Sequence, residues 1–141
     1  MMKKSGPRRK WRVLIVDDEE DIVKLIAVFI GEMGFDVMPA KDGREALTII
    51  ESFKPDIVVS DIHMPEIDGD ELYRKMVVTT PSYAKRFVFM TGSGIDAQLT
   101  QFLNNTGCVI LTKPFDFQEL ANVIERKIAD IERGRMPEDG S

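Results

Sequence analysis

Asp61 ends the apolar run Ile57-Val58-Val59-Ser60, and the pair Asp17-Asp18 ends another, Val13-Leu14-Ile15-Val16. A buried strand that stops in a carboxylate delivers that charge to one edge of a parallel sheet, the edge where open α/β folds collect ligands. Two such strands build an acidic cleft. Farther along, Phe87-Val88-Phe89-Met90 ends in Thr91, and Val109-Ile110-Leu111 runs through Thr112 into Lys113-Pro114, which aims a hydroxyl and an ammonium at the same edge. Three carboxylates, one hydroxyl and one lysine are the parts that a metal-assisted phosphoryl transfer to an aspartate requires. Taken singly, the same residues have plainer readings: Asp17 and Asp18 as charges at a helix N-terminus, Thr91 as a turn residue, Lys113 as a solvated loop lysine.

The elements that would position these groups alternate along the chain. Ile22, Leu25, Ile26, Phe29 and Met33 recur at helical spacing across 21–33, and Gly34 follows as a stop. Phe35-Asp36-Val37-Met38 reads as a short strand closed by Pro39, and Asp42 with Glu45 forms a capping box for a helix that turns Ala46, Leu47, Ile50 and Phe53 inward. Lys54-Pro55 ends that helix before the run that leads to Asp61. Asp68-Gly69 reads as a turn, and Leu72, Tyr73 and Met76 give a weaker helical stripe that stops near Thr79-Thr80-Pro81. Ile95, Leu99, Phe102 and Leu103 suit a helix, although Gly92 and Gly94 before it and Asn104-Asn105 after it point to a mobile segment. A last helix spans 116–133, opened by Asp116 and Glu119, with Leu120, Val123, Ile124, Ile128 and Ile131 on one face. Five strands alternating with five helices imply a doubly wound parallel sheet covered on both faces, an α/β three-layer sandwich in which all strand carboxyl ends share one edge.

The length of 141 residues leaves room for one domain, and 43% hydrophobic residues supply its core. The expected division is a basic N-terminal tail over 1–9, a folded domain over 10–133 and a polar C-terminal tail over 134–141. A formal net charge of -5 argues against a nucleic-acid-binding role for the domain, because phosphate backbones are held by clustered Lys and Arg. Lys3, Lys4, Arg8, Arg9, Lys10 and Arg12 are the exception, and around Gly6-Pro7 they read as a solvated tail. With no apolar stretch of bilayer length and no signal-peptide core, the expectation is a cytoplasmic protein without a membrane partner. The single Cys108 fits a reducing compartment and reads as a small buried side chain at the head of a strand.

Four strings resemble the receiver domain of two-component response regulators: Val16-Asp17-Asp18-Glu19, Ser60-Asp61-Ile62-His63-Met64-Pro65 with Asp68-Gly69, Met90-Thr91-Gly92, and Thr112-Lys113-Pro114-Phe115. The likeness extends from about Lys10 to Arg133 and includes the chemotaxis regulator among its relatives. It implies a flavodoxin-like sheet in the order 2-1-3-4-5. It also implies that Asp61 accepts a phosphoryl group from the phosphohistidine of a histidine kinase or phosphotransfer protein. Asp17, Asp18, Asp61 and the backbone carbonyl of His63 would hold Mg²⁺, Lys113 would pair with a phosphoryl oxygen, and Thr91 would donate a hydrogen bond to another. A cis bond between Lys113 and Pro114 comes with the resemblance and would aim the ammonium inward. The result would be a switch that acts on a downstream partner or effector module. It would catalyse its own phosphorylation and dephosphorylation and turn over no free substrate.

His63 varies in this family and reads as a rim residue rather than an imidazole ligand. The family's residue three before the lysine is commonly aromatic; here it is Ile110. An isoleucine has no ring to relocate, so output would rest on the glycine-flanked segment after Thr91. Two other classes use similar parts. A haloacid-dehalogenase-type phosphatase would take Asp17 and Glu19 as nucleophile and acid, but a cap domain usually supplies specificity there, and this length leaves no room for one. A flavin carrier would need a hydroxyl-rich loop where Asp17-Asp18-Glu19-Glu20 repels phosphate.

Overall fold

In the computed structural model of the chain, which describes residues 10–92 and 96–134, the apolar runs become five strands and the periodic segments five helices. They follow one another as β1 (Arg12–Val16), α1 (Glu20–Glu32), β2 (Asp36–Ala40), α2 (Gly43–Phe53), β3 (Ile57–Asp61), α3 (Gly69–Thr79), β4 (Phe87–Thr91), α4 (Ala97–Thr106), β5 (Val109–Thr112) and α5 (Phe117–Glu132). A short 3₁₀ helix, Pro81–Lys85, enters between α3 and β4. All strand pairs are parallel, in the order β2-β1-β3-β4-β5. The expected N-terminal tail over 1–9 lies outside the described residues, as does the C-terminal tail over 134–141 except for Gly134.

The central strands are apolar at consecutive positions because each of their faces meets a helical layer. Val13, Ile15, Ile57, Val59, Val88 and Met90 face α1 and α5, where Val23, Ile26, Ile30, Leu120 and Ile124 close the layer. Leu14, Val16, Val58, Phe87 and Phe89 face the opposite way, onto Ala46 of α2, Leu72, Tyr73 and Met76 of α3, and Leu99 and Leu103 of α4. Period-two alternation thus divides each strand between two cores. A fully buried Leu, Ile or Phe contributes roughly 1.5–3 kcal/mol relative to exposure, so these two layers rather than surface charge hold the strand ends in register.

Several local expectations need correction. Pro39 does not close the second strand; it lies within β2, opposite Ile15. β2 is an edge strand, and its residues 36 and 40 turn their backbone toward β1: Asp36 N donates to Trp11 O and Ala40 O accepts from Asp17 N. The nitrogen of residue 39 therefore points away from the sheet, where proline loses no ladder bond. Leu25 is not inward; it is 56% exposed, and Val23, Ile26 and Ile30 form the buried stripe of α1 instead. Asp68-Gly69 is the entry to α3 rather than a free turn. Asn104-Asn105 lie inside α4, which ends one turn later at Gly107 with a left-handed φ of 70°. Asp96, whose side chain accepts from Leu99 N at 2.8 Å, starts that helix; Gly94 and Ile95 lie outside the described residues. Cys108 is half-buried, since β5 is the other edge strand and is covered less completely.

The capping box of α2 is slightly displaced from its expected form: Glu45 N donates to Asp42 Oδ1 at 2.8 Å, but the Glu45 carboxylate takes the N–H of Lys41 at 2.7 Å. That of α5 has Asp116 N donating to Glu119 Oε1 at 3.1 Å.

Trp11, the only tryptophan, precedes β1 and packs half-buried against the α1/α5 core. Six residues of extended chain separate it from Asp17, about 20 Å at roughly 3.3 Å per residue. Its fluorescence is expected to follow unfolding but to change by less than about a tenth when Mg²⁺ is added to the folded protein; strong quenching in a Mg²⁺ titration would contradict this placement.

Candidate functional site

Parallel pairing brings the carboxyl ends of β1, β3, β4 and β5 to one edge. Register is fixed through the site itself: Ile62 N donates to Met90 O at 3.0 Å, and Lys113 N donates to Thr91 O at 2.7 Å. Asp61 is thereby tied to β4, and Lys113 to the end of the same strand. The Lys113-Pro114 peptide is cis, as the resemblance implied.

Asp17, Asp18 and Asp61 each turn a carboxylate oxygen into the cleft, and these oxygens lie within 4.8 Å of one another. Their surroundings differ. Asp17 has no exposed surface, and both of its oxygens are engaged: Oδ1 accepts from Glu19 N at 3.0 Å and Oδ2 from Lys113 Nζ at 2.9 Å. Asp18 is exposed at the mouth. The Asp61 side chain keeps 10% of its surface, enough for a small reactant to reach it. Asp17 and Asp18 precede Glu19, the N-cap of α1, whose first turn carries Glu20 and Asp21.

Lys113 is the counter-charge. Its Nζ lies 2.9 Å from Asp17 Oδ2, 3.1 Å from Glu19 Oε1 and 3.4 Å from Asp61 Oδ2, so it is no solvated loop lysine. Burial alone would lower its pKa, but the hydrogen bond to Asp17 and the charges of Asp17 and Asp61 outweigh that and raise it. The ammonium is fixed as a cation. For Asp61 burial dominates in the opposite sense: desolvation and then the Asp17 charge raise its pKa, against the pull of Lys113 and the His63 backbone N–H. Glu19, named from the sequence only as the acid of the phosphatase alternative, is here a partner of Lys113; its place directly after Asp17-Asp18 in the strand-ending string was the available signal.

Two further features hold Asp61 in place. Ser60, fully buried, donates its hydroxyl to the Asp61 carbonyl at 2.8 Å. A β-carbon at Gly69 would run into that same carbonyl, so the start of α3 can pack behind Asp61 only as glycine. Asp68, the N-cap residue of α3, makes no side-chain cap to the helix; its carboxylate accepts instead from Met64 N at 3.4 Å, in the loop that leads into it. His63 is exposed, at the rim as expected, and offers its backbone N–H to the Asp61 carboxylate. Thr91 is 1% exposed at the end of β4. The glycine-flanked segment expected to answer it includes 93–95, which lie outside the described residues.

The family model of the response regulator receiver domain matches residues 13–125. The chain belongs to the response regulator receiver domain family. Among curated relatives, transcription factor SKN7 of Candida albicans is 33% identical over 129 residues, which make up 89% of this chain but 22% of that protein. Sensor kinase CckA of Brucella abortus is 36% identical over 119 residues, covering 82% of this chain and 12% of its own length. The receiver domain thus spans about a quarter or less of these longer proteins. A solved CheY-like receiver domain protein from Methanospirillum hungatei superposes with a TM-score of 0.82 at 26% identity, over 89% of this chain and 99% of that one. The sheet order and five-helix arrangement expected from the resemblance are the ones observed.

The acidic cleft carries a pH signature. Because the folded pKa of Asp61 is raised, the native state keeps a proton that the unfolded chain has already lost between the ordinary carboxylate value and the raised one. Stability contributed by this residue therefore falls as pH rises through that window. Metal-free Asp61→Asn is expected to melt at the same temperature as the parent or higher at pH 7, with the difference closing as pH drops below about 4. Thermal melts of both proteins in chelator from pH 3.5 to 8 measure it, and a lower melting temperature for the variant at pH 7 would refute the repulsion account.

Proposed function

We propose that this receiver domain is a phosphorylation-dependent switch in which Asp61 takes a phosphoryl group from the phosphohistidine of a histidine kinase or phosphotransfer protein. The observation that carries the reading is the Lys113 ammonium, held by Asp17 on one side and reaching the partly open Asp61 on the other. An Asp61 oxygen forms the new P–O bond as the donor's P–N bond breaks, and that electron pair returns to the imidazole of the donor. Lys113 already stands where a charged phosphoryl oxygen would replace one carboxylate contact with another. The Thr91 hydroxyl donates to a second phosphoryl oxygen. Asp17, with both oxygens engaged and no exposed surface, is a poor nucleophile, which disfavours the phosphatase reading.

The donor set fits a hard dication: oxygen ligands only, three carboxylates within reach of one ion, and a burial-raised Asp61 that a cation would relieve. Asp17, Asp18 and Asp61, with the backbone carbonyl of His63, would hold Mg²⁺, whose charge offsets that of the phosphoryl oxygens in transfer. Hydrolysis of the aspartyl phosphate by water resets the switch, so the domain consumes one phosphoryl group per cycle and has no free substrate to turn over. Its output passes to a downstream partner or a linked effector module. Among the described residues no helix is long and apolar enough to cross a membrane, in keeping with a cytoplasmic setting.

Magnesium is expected to stabilise the fold by about 1.4 kcal/mol at ten times Kd and about 2.7 kcal/mol at a hundred times. Asp18→Ala should remove that gain, because Asp18 is the exposed ligand at the mouth and carries no structural contact to Lys113. Melting curves with and without MgCl₂ decide it; an undiminished response in the variant would take Asp18 out of the site.

Incubation with Mg²⁺ and acetyl phosphate should add the mass of one phosphoryl group, released by hydroxylamine as an acyl phosphate must be. Asp61→Asn should stay folded and lose the adduct. If intact-mass and peptide analysis find a hydroxylamine-labile phosphate on Asp17 of that variant, the switch mechanism is wrong and the phosphatase reading returns.

A further inference from the structure

The site described above uses one end of each strand. At the opposite edge of the sheet, Arg12, Asp56 and Arg86 stand five positions before Asp17, Asp61 and Thr91 respectively, so the same three strands begin beside charge. A cleft of about 640 Å³ opens there between the ends of α2 and α3 and the 3₁₀ helix. It lies some 16 Å from the acidic site at roughly 3.3 Å per residue. Its volume suits a small organic molecule.

The cleft is built around a buried charge. Asp56, 4% exposed, accepts from Arg12 N on Oδ2 at 2.8 Å, and its Oδ1 lies 3.8 Å from the Arg86 guanidinium. That guanidinium also meets the Asp56 carbonyl at 3.5 Å, yet Arg86 Nε is buried with no hydrogen-bond partner among the described residues. That N–H has no accessible surface and faces no ligand; it is the remainder of the Arg86 side chain, 11% exposed, that lines the cleft. The guanidinium of Arg12 spends an N–H on Phe53 O at 2.9 Å, and Lys54 is exposed on the rim. Thr80 and the buried Ser82 add hydroxyls to the lining. Three cations thus line the cleft with two acids, Asp56 already paired and Glu51 exposed, in a chain whose formal net charge is -5.

We propose that this cleft binds the phosphate group of a small organic phosphate through Arg12, Lys54 and Arg86. Planar guanidinium forks match a phosphate's paired oxygens, the hydroxyls serve a third, and the space exceeds the ion itself, leaving room for an organic part beside Pro55 and Tyr83. This assignment is independent of the phosphoryl-transfer reading, since no residue is shared between the two sites.

The test is an amide-shift NMR titration of the full chain with adenosine 5′-monophosphate, inorganic phosphate and adenosine. Saturable shifts at residues 12, 54, 56, 80 and 82–86 with both phosphates, and none with adenosine, are expected; saturation by inorganic phosphate alone supports the phosphate site with a different organic part. Lys54→Gly removes one cation at a left-handed φ of 51° that glycine tolerates, so the variant should fold and bind roughly tenfold more weakly. Arg86→Gln should abolish binding, and if its melting curve shows it unfolded, Lys54→Gly carries the test alone. Shifts that never saturate, that centre on Asp61, that adenosine reproduces, or that Lys54→Gly leaves unchanged would each overturn the assignment.

Discussion

Carboxylates that share one cleft repel one another, and the structure is arranged around that conflict. Asp17, Asp18 and Asp61 stand with oxygens inside 4.8 Å, and Glu19 joins them at Lys113. Four acids face one ammonium. At such separations like charges interact by several kcal/mol at an effective dielectric near 20, more than most single contacts in the core contribute. The cluster persists because its members are not free to separate: Asp17 and Asp61 sit at the ends of β1 and β3, adjacent strands whose side chains are locked into two helical layers. The core thus sustains a locally unfavourable concentration of like charge at the sheet edge.

Lys113 is central to this balance because its position depends on elements distant in sequence. Its backbone bonds to Thr91 at the end of β4, while its ammonium crosses to Asp17 on β1 and Asp61 on β3. One side chain therefore reads the relative placement of four strand ends. A change in the charge on Asp61 would alter one of the three contacts that hold the ammonium, and the hydrogen bond from Lys113 N to Thr91 O would tie that change to the end of β4. No long-range pathway is needed for this first step; it follows from one cation having more acidic partners than it can satisfy equally.

Much of this was legible in the sequence, for a physical reason. Parallel strands covered on both faces must be apolar throughout, so a polar or charged residue at the end of such a run marks the sheet edge, and Asp17, Asp61, Thr91 and Lys113 all met that condition. What could not be read were choices made between elements rather than within them. Pro39 sits in a strand because β2 lies at an edge, which only the strand order reveals. Leu25 turns outward because the layer it was expected to join is filled by Val23, Ile26 and Ile30. Gly69 looked like a turn residue, yet its role is steric, and the clash it avoids is with a carbonyl eight residues earlier. Glu19 needed the ammonium in place before its carboxylate had anything to do.

Ile110 bears on how the site communicates outward. It is half-buried and packs with the α2, α3 and α4 layer, so the volume at this position is occupied by a side chain that cannot swing as a ring would. Four aromatic rings on that side form a cluster of their own: Tyr73 of α3, Phe87 and Phe89 of β4 and Phe102 of α4, with neighbouring centroids 5.1 to 6.1 Å apart. Tyr73 touches all three of the others, and Arg74 lies over the Phe102 ring at 4.9 Å. β4 is thus fastened at its carboxyl end to Lys113 and along its length to rings on both α3 and α4. A shift at Thr91 would be felt by α4 through Phe89 and Phe102, two residues in direct contact, without any side chain exchanging inward and outward positions. The closeness of interior packing makes this aromatic cluster a stiff connection between β4, α3 and α4 rather than a hinge.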